Sequence, residues 1–344
     1  MSLSISYESE GFPPSTTQNG QFELTVSWDE ILWAAVTVGR PDRYHVWRGK
    51  PLTLLVLDAR GRVCHGLYGD YEALFRWSLI RMALEQDRPM SPRLHLTQAM
   101  KCLDRTEKGM VNYFVGMTLC KLFANRLLYT PWLLHLDVFR EQLQPVLRQG
   151  SRPDLVGQSV SNQWHGFECK GRIQPLGSSG KQRAKDQASR LISVKKIPCS
   201  LHVGSVTYFR RNVLEFYWCD PPSARNVGID IDFQEESWSH YYGPIAEIIT
   251  TYRQGDLVAS EEVMRRDVHG NLYVRVIQCD VEIGIHQAIE ELLVNQEWQR
   301  ARFTASEQAE EFRVQGFHAD GLVVRAGDSW SRRYEEWIGL EPTT

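Results

Sequence analysis

An α/β fold is predicted by three observations: apolar residues recur at helical spacing in some stretches, short strand-like apolar runs alternate with them, and the composition is that of an ordinary folded protein. The chain has 344 residues, of which 42% are apolar, 24% charged and 11% aromatic, a balance that buries a large core and argues against disorder. At about 150 residues per domain, this length corresponds to roughly two domains, or to one enlarged by insertions.

No apolar run approaches the roughly 18 to 20 residues needed to cross a bilayer, so no membrane association is expected. The start, Met1-Ser-Leu-Ser-Ile-Ser-Tyr-Glu, lacks a basic segment followed by an apolar one, which argues against a secretory leader. Seven cysteines without a Cys-x-x-Cys pair suggest neither a disulfide framework nor a zinc knuckle, and a reducing cytoplasm fits them best. The ten histidines show no His-Glu-x-x-His spacing, so no built-in zinc site is expected.

Residues 1–20, with Pro13-Pro14-Ser15-Thr16-Thr17-Gln18-Asn19-Gly20, read as a flexible N-terminal arm. An N-terminal α/β region is expected over 21–92. Ser27-x-x-Glu30 is a capping-box pattern opening a helix through Ile31, Leu32 and Ala35. Leu52–Leu57 reads as a strand turned by Asp58-Ala-Arg-Gly, and Asp70 as the cap of a helix from Tyr71 to about Gln86.

The clearest pattern lies in 93–220. Val111, Phe114, Val115, Thr118, Leu119, Leu122 and Phe123 follow the spacing of one helical face. Strands are expected at Trp132–Phe139 and at Arg152-Pro-Asp-Leu-Val-Gly157. The polar turn Ser159–Gln163 then leads into Trp164-His-Gly-Phe-Glu-Cys-Lys170, completing a β-hairpin. After Gly177-Ser-Ser-Gly180, the residues Ala184, Ala188, Leu191 and Ile192 stripe a helix over Lys181–Val194. Strands at Leu201–Phe209 and Val213–Trp218 follow, and Pro221-Pro222 closes the region. Residues 221–344 read as an acidic α/β region, with helices near His240–Tyr252 and Ile283–Val294 and strands near Leu272–Gln278 and Gly321–Val324.

The net charge of -3 hides an asymmetry. From Asn212 to the end there are 11 arginines, no lysine and 24 acidic residues, whereas between His165 and Arg211 ten basic residues face only Glu168 and Asp186. Such a basic stretch attracts a phosphate backbone through counterion release. It could equally be balanced by the acidic C-terminal part across an internal interface.

Pro153-Asp154 stands 14 residues before Glu168-Cys169-Lys170. An acid-x-Lys triplet alone is expected about once by chance in this composition, so the weight rests on the combination. Strand alternation puts Glu168 and Lys170 on one face and Cys169 on the other. A turn centred near Ser161 pairs Asp154 opposite Glu168, within reach of one cation. Two carboxylates that close repel and require a compensating positive charge.

With the basic helix and the strand that follow, residues 104–219 resemble the PD-(D/E)xK nuclease superfamily. The resemblance implies a restriction endonuclease-like α-β-β-β-α-β core with a mixed sheet, extended here by N- and C-terminal α/β additions. It implies Mg²⁺, with Mn²⁺ as a substitute, held by Asp154, Glu168 and the Cys169 carbonyl, and in some family members by an acid from the first helix, here Glu107. Asp104-x-x-Glu107 is also a good capping pair. Lys170 would orient the attacking water or stabilise developing charge. Gln187 is placed beside the site, and Lys181, Arg183, Lys185, Arg190 and Arg172 are candidate contacts to nucleic acid. The implied activity is metal-dependent endonuclease cleavage, of DNA first, in bacterial phage defence or restriction. The alternatives are a recombination or transposon-associated nuclease, and a non-catalytic module binding nucleic acid or a protein subunit. Cutting both strands needs two active sites, which a homodimer would supply.

Overall fold

The computed structural model describes residues 2–40, 56–57, 63–64, 67–86, 92–147, 152–220, 228–254 and 263–331. Most of the strand expected at Leu52–Leu57, and Pro221-Pro222, lie outside them. The fold is mixed α/β. Among the described residues, its main sheet has nine strands, seven of which form a continuous path. In chain order these are β1 (Leu3–Glu10), β2 (Gly20–Val26), β3 (Trp132–His135), β4 (Leu155–Gln158), β5 (Trp164–Gly171), β6 (Leu201–Arg210) and β7 (Val213–Cys219). They are ordered β2-β1-β7-β6-β5-β4-β3.

The strands β3, β4 and β5 form an antiparallel meander. A crossover then places β6 parallel to β5, and β7 returns antiparallel to β6. A connection between parallel neighbours must travel the length of the sheet, and the helix Ser178–Ala188 does so. The expected long helix to Val194 stops at Ala188, and Leu191–Val194 is a short strand instead.

The expectation of a flexible arm at residues 1–20 is corrected. β1 lies inside the sheet between β2 and β7, with Leu3 and Ile5 fully buried. The alternation Leu3-Ser-Ile-Ser-Tyr7 is a half-buried strand pattern, and the parallel ladder with β7 from Ser6 to Glu10 completes the edge. The Pro13-Pro14 stretch is only the β1–β2 connection.

Helices α1 (Trp28–Val36), α2 (Leu67–Ala83) and α3 (Arg105–Leu128) precede β3. The predicted capping boxes at Ser27/Glu30 and Asp104/Glu107 both form. Asp70 lies inside α2 rather than capping it, and Leu84–Gln86 is a strand. The apolar stripe of α3 packs on one sheet face, where Phe123 stacks on Phe216 at 4.0 Å between centroids and meets Tyr7 edge-on at 5.2 Å. The helix Ser178–Ala188, α4, covers the other face over β5 and β6.

Helix α5 (Ser239–Gln254) leads to an antiparallel sheet of β8 (Met264–Arg266), β9 (Leu272–Val276), β10 (Val281–Ile285) and β11 (Leu322–Ala326), which packs against α1. Ile283, expected to begin a helix, belongs to β10, and the helix starts at Gln287. A buried polar chain ties this part to the sheet domain. Lys121 of α3 donates to the Pro131 carbonyl and, at 2.8 Å, to the Tyr241 hydroxyl. Tyr241 donates to Asp320 at 2.6 Å, and the Trp33 indole donates to the same carboxylate at 3.1 Å.

The charge asymmetry resolves locally. C-terminal acids pair with C-terminal arginines, as in Arg265–Glu282 and Arg266–Glu290. The basic helix α4 is balanced by Glu8 and Glu10 of β1, through Lys181 and Lys185.

Candidate active site

The β4–β5 hairpin turns as the sequence predicts. The ladder pairs Leu155 with Phe167 and Gln158 with Trp164, and the Ser159 amide donates to the Gln163 carbonyl at 2.9 Å, centring the turn on Ser161. Continued by one residue, this register sets Asp154 opposite Glu168. The regular ladder ends at Phe167, whose carbonyl accepts the Asp154 amide at 3.0 Å. From Glu168 onward the β4-side edge of β5 is therefore open. Asp154 closes it with its side chain, Oδ2 accepting the Cys169 amide at 2.8 Å.

Glu168 projects toward the α4 side and is 1% exposed. It lies beside Gly204 in the parallel register with β6. A side chain at Gly204 would come within 2.9 Å of the α4 backbone at Ala184 and Lys185, so the bare glycine lets the helix close over the sheet next to the carboxylate. The Ser205 hydroxyl donates to the Glu168 carbonyl at 3.0 Å. Lys170, two residues on and on the same face, donates to Glu168 Oε1. Oε2 is buried and has no hydrogen-bond donor among the described residues.

Burial, then the neighbouring Asp154 charge, push the Glu168 carboxyl up to about 8 despite the opposing pull of Lys170. Asp154 is also raised by burial, with the Cys169 amide and Lys170 holding it down. Burial thus favours the protonated form of Glu168 at neutral pH. The structure thus brings together Asp154, Glu168 and Lys170.

The pair fits a divalent cation. The half-buried Asp154 carboxyl lies beside the buried Glu168, whose Oε2 has no hydrogen-bond donor among the described residues. Among the described residues, no group of three or more His, Cys, Asp or Glu side chains is set to hold a metal. Two carboxylates suit Mg²⁺, which keeps several waters and binds through one or two carboxylates plus substrate phosphate; Mn²⁺ takes similar oxygen ligands.

Other expected residues sit differently. Glu107 is exposed, and its Oε2 accepts the Asp104 amide at 2.9 Å. Its carboxylate completes the helix cap, while α3 first reaches β5 at Asn112, about 7 Å further along the axis. Cys169 enters the site through its amide, and its thiol is buried on the opposite side beside Cys120. Gln187 lies half-buried on α4, the helix over Glu168, and makes no side-chain hydrogen bond among the described residues. His165 packs in the hairpin, with Nδ1 3.1 Å from the Thr130 hydroxyl, and burial pushes it down to about 4.

The candidate phosphate contacts divide. Arg172 and Arg183 are exposed. Lys181 reaches Glu8 at 3.3 Å and lies 3.6 Å over the Tyr217 ring, and Lys185 reaches Glu10 at 3.4 Å. Arg190 is partly buried and has partners of its own.

Two side chains not anticipated in the sequence join the site. Asp137 follows Leu136, whose amide donates to the Asp154 carbonyl at 2.9 Å, and it pairs with Arg152. Tyr113, on α3 where it meets β5, has its phenol raised by burial and by the nearby charges of Asp154, Asp137 and Glu168. Neither belongs to a periodic stripe or a short motif, so only the tertiary contact of α3 with β5 marks them. Comparison of the chain with protein-family models, curated proteins and solved structures finds no match in any of the three.

Proposed function

We propose that this protein is a metal-dependent phosphodiesterase acting on nucleic acid, with DNA as its first candidate substrate. The observation that carries the reading is the buried Glu168 carboxyl with its orphaned Oε2, flanked by the half-buried Asp154 and the Lys170 ammonium. The order of helix, antiparallel meander, helix and parallel strand supports it, being the order implied by the resemblance to PD-(D/E)xK nucleases.

Asp154 and Glu168 would hold Mg²⁺, and the ion when bound would supply an activated water and neutralise phosphate charge. Glu168 would hold the ion as its carboxylate. Lys170, anchored through Glu168 and partly exposed, offers its remaining N–H bonds to the phosphoryl oxygens as charge develops on them. The α4 packing at Gly204 excludes water from one side of the pair, which strengthens these interactions.

The test is nicking of supercoiled plasmid in Mg²⁺ or Mn²⁺ by the wild type and by Asp154→Asn and Lys170→Ala, with folding checked by circular dichroism. The wild type is expected to cleave, and both variants to lose at least about a hundredfold in rate. A wild type that binds DNA but nicks it under no divalent cation ends the nuclease reading. A role in phage defence or restriction extends the same proposal by analogy.

A further inference from the structure

Helix α3 makes its tightest approach to β5 just beyond Lys170. A Cβ on Gly171 would collide with the Asn112 carbonyl and lie 3.1 Å from the Tyr113 amide. A Cβ on Gly116, one turn along, would come within 2.9 Å of the Gly171 amide. The backbone of α3 at residues 112–116 is therefore fixed against the strand that carries Glu168 and Lys170. Val111 and Phe114, on either side of the contact, are buried and hold the helix in rotation.

The Tyr113 side chain leaves this fixed backbone at the open edge of β5, where β4 no longer pairs. It is 42% exposed, and its hydroxyl lies in the field of Asp154, Asp137 and Glu168. That hydroxyl has no hydrogen-bond partner among the described residues. Phenols placed beside carboxylates normally donate to them, and this one is left over at the solvent side of the pair.

The geometry points to Tyr113 as a further substrate-contacting residue: its hydroxyl donates to a non-bridging oxygen of the scissile phosphate, across the carboxylate pair from Lys170. The inference rests on the phosphodiesterase reading above. A neutral donor suits this position. A phenol keeps its proton throughout the neutral range in which carboxylates ionise, so it can donate while the pair holds its charge. A lysine there would instead compete with the metal for the same carboxylates. Tyr113 and Lys170 would grip the phosphate from opposite sides, orienting it for attack.

The test is steady-state cleavage by Tyr113→Phe, which keeps the ring and removes only the hydroxyl, with Mg²⁺ affinity measured in parallel by calorimetry. The expected result is a fall in kcat of about tenfold to a hundredfold, with KM changed less than about twofold and Mg²⁺ affinity unchanged. Tyr113→Leu should lower kcat equally, because the lost group is the hydroxyl. Wild-type kcat in Tyr113→Phe overturns the inference. So does a loss of activity that follows weakened Mg²⁺ binding, which would make the residue a structural support of the carboxylates. A wild type that cleaves nothing removes the nuclease reading and this inference together, whereas an active wild type with an equally active Tyr113→Phe removes the inference alone.

Discussion

Gly171 lies directly beneath the Asn112 carbonyl, so close that a single added carbon would overlap that oxygen. The obstruction is backbone, not a movable side chain, and Gly116 closes the same contact from the helix. Gly171→Ala must therefore push α3 off β5 or bend the strand. It is expected to destabilise the protein by at least about 3 kcal/mol, the upper range for overpacking, read as a lower urea midpoint at constant m-value. Gly109→Ala, on the same helix with nothing within 4 Å of the new carbon, should be neutral or stabilising by up to about 1 kcal/mol. Equal effects of the two substitutions would show that the close approach carries no energy.

The protonated Glu168 carboxyl makes stability depend on pH. Glu168 titrates at its ordinary 4.5 when exposed and is pushed up to about 8 in the folded protein, chiefly by burial. Between those values the folded state holds a proton that the unfolded state has released. Stability from this group is fully present below pH 4.5 and is lost as pH rises through 8. The metal-free wild type should lose on the order of 3 kcal/mol between pH 5 and 8 relative to Glu168→Gln. Mg²⁺ should restore more stability at pH 8 than at pH 6, since it replaces the proton. Thermal melts of both proteins with EDTA and with Mg²⁺ check this. Identical pH profiles for wild type and Glu168→Gln would show that Glu168 is ionised throughout.

What the sequence disclosed was set by distance along the chain. The capping boxes at Ser27/Glu30 and Asp104/Glu107 and the register of Asp154 with Glu168 depend on residues three to fourteen positions apart, and local chemistry decides them. β1 has a local hairpin partner in β2, yet Pro13-Pro14 and the polar run after it outweigh the Leu3-Ile5-Tyr7 alternation, and its second partner β7 lies about two hundred residues away. The strand Leu191–Val194 was absorbed into the preceding helix because Leu191 and Ile192 extend the apolar stripe of Ala184 and Ala188. At Glu107, two local readings competed and the cap won. Tyr113 and Asp137 left no trace in the sequence because neither is periodic. Their place depends on the contact of α3 with Gly171.

The buried chain Lys121–Tyr241–Asp320 crosses three parts of the sequence and joins an amine to a carboxyl, burial pushing Lys121 down to about 7 against the pull of Asp320. Asp320 is fully buried, and burial raises its carboxyl against the pull of Lys121. Lys121→Met leaves that acid without its cation and is expected to cost about 3 to 5 kcal/mol. Asp320→Asn in the same background should recover part of the loss, because no unpaired charge then remains. A double-mutant cycle by chemical denaturation measures the coupling, and additive losses would mean that the two groups do not interact.

If the chain binds nucleic acid as proposed, the ion pairs of α4 with β1 bear on how it would be held. Lys181 and Lys185 are neutralised by Glu8 and Glu10, and Lys181 gains further from the face of Tyr217. Releasing either lysine to a phosphate leaves a glutamate unpaired, so the gain is small. Arg172 and Arg183 are exposed and lose little when a phosphate approaches. Counterion release gives a slope of about 0.9 per phosphate contact in a plot of log affinity against log salt for duplex DNA. Arg172→Ala and Arg183→Ala should each reduce that slope by about one, measured by fluorescence anisotropy in EDTA so that no cleavage occurs. Lys181→Ala and Lys185→Ala should leave it nearly unchanged. Equal reductions in all four would show that the β1 glutamates give up their lysines when DNA binds, and would move the footprint from the open edge of β5 onto the whole of α4.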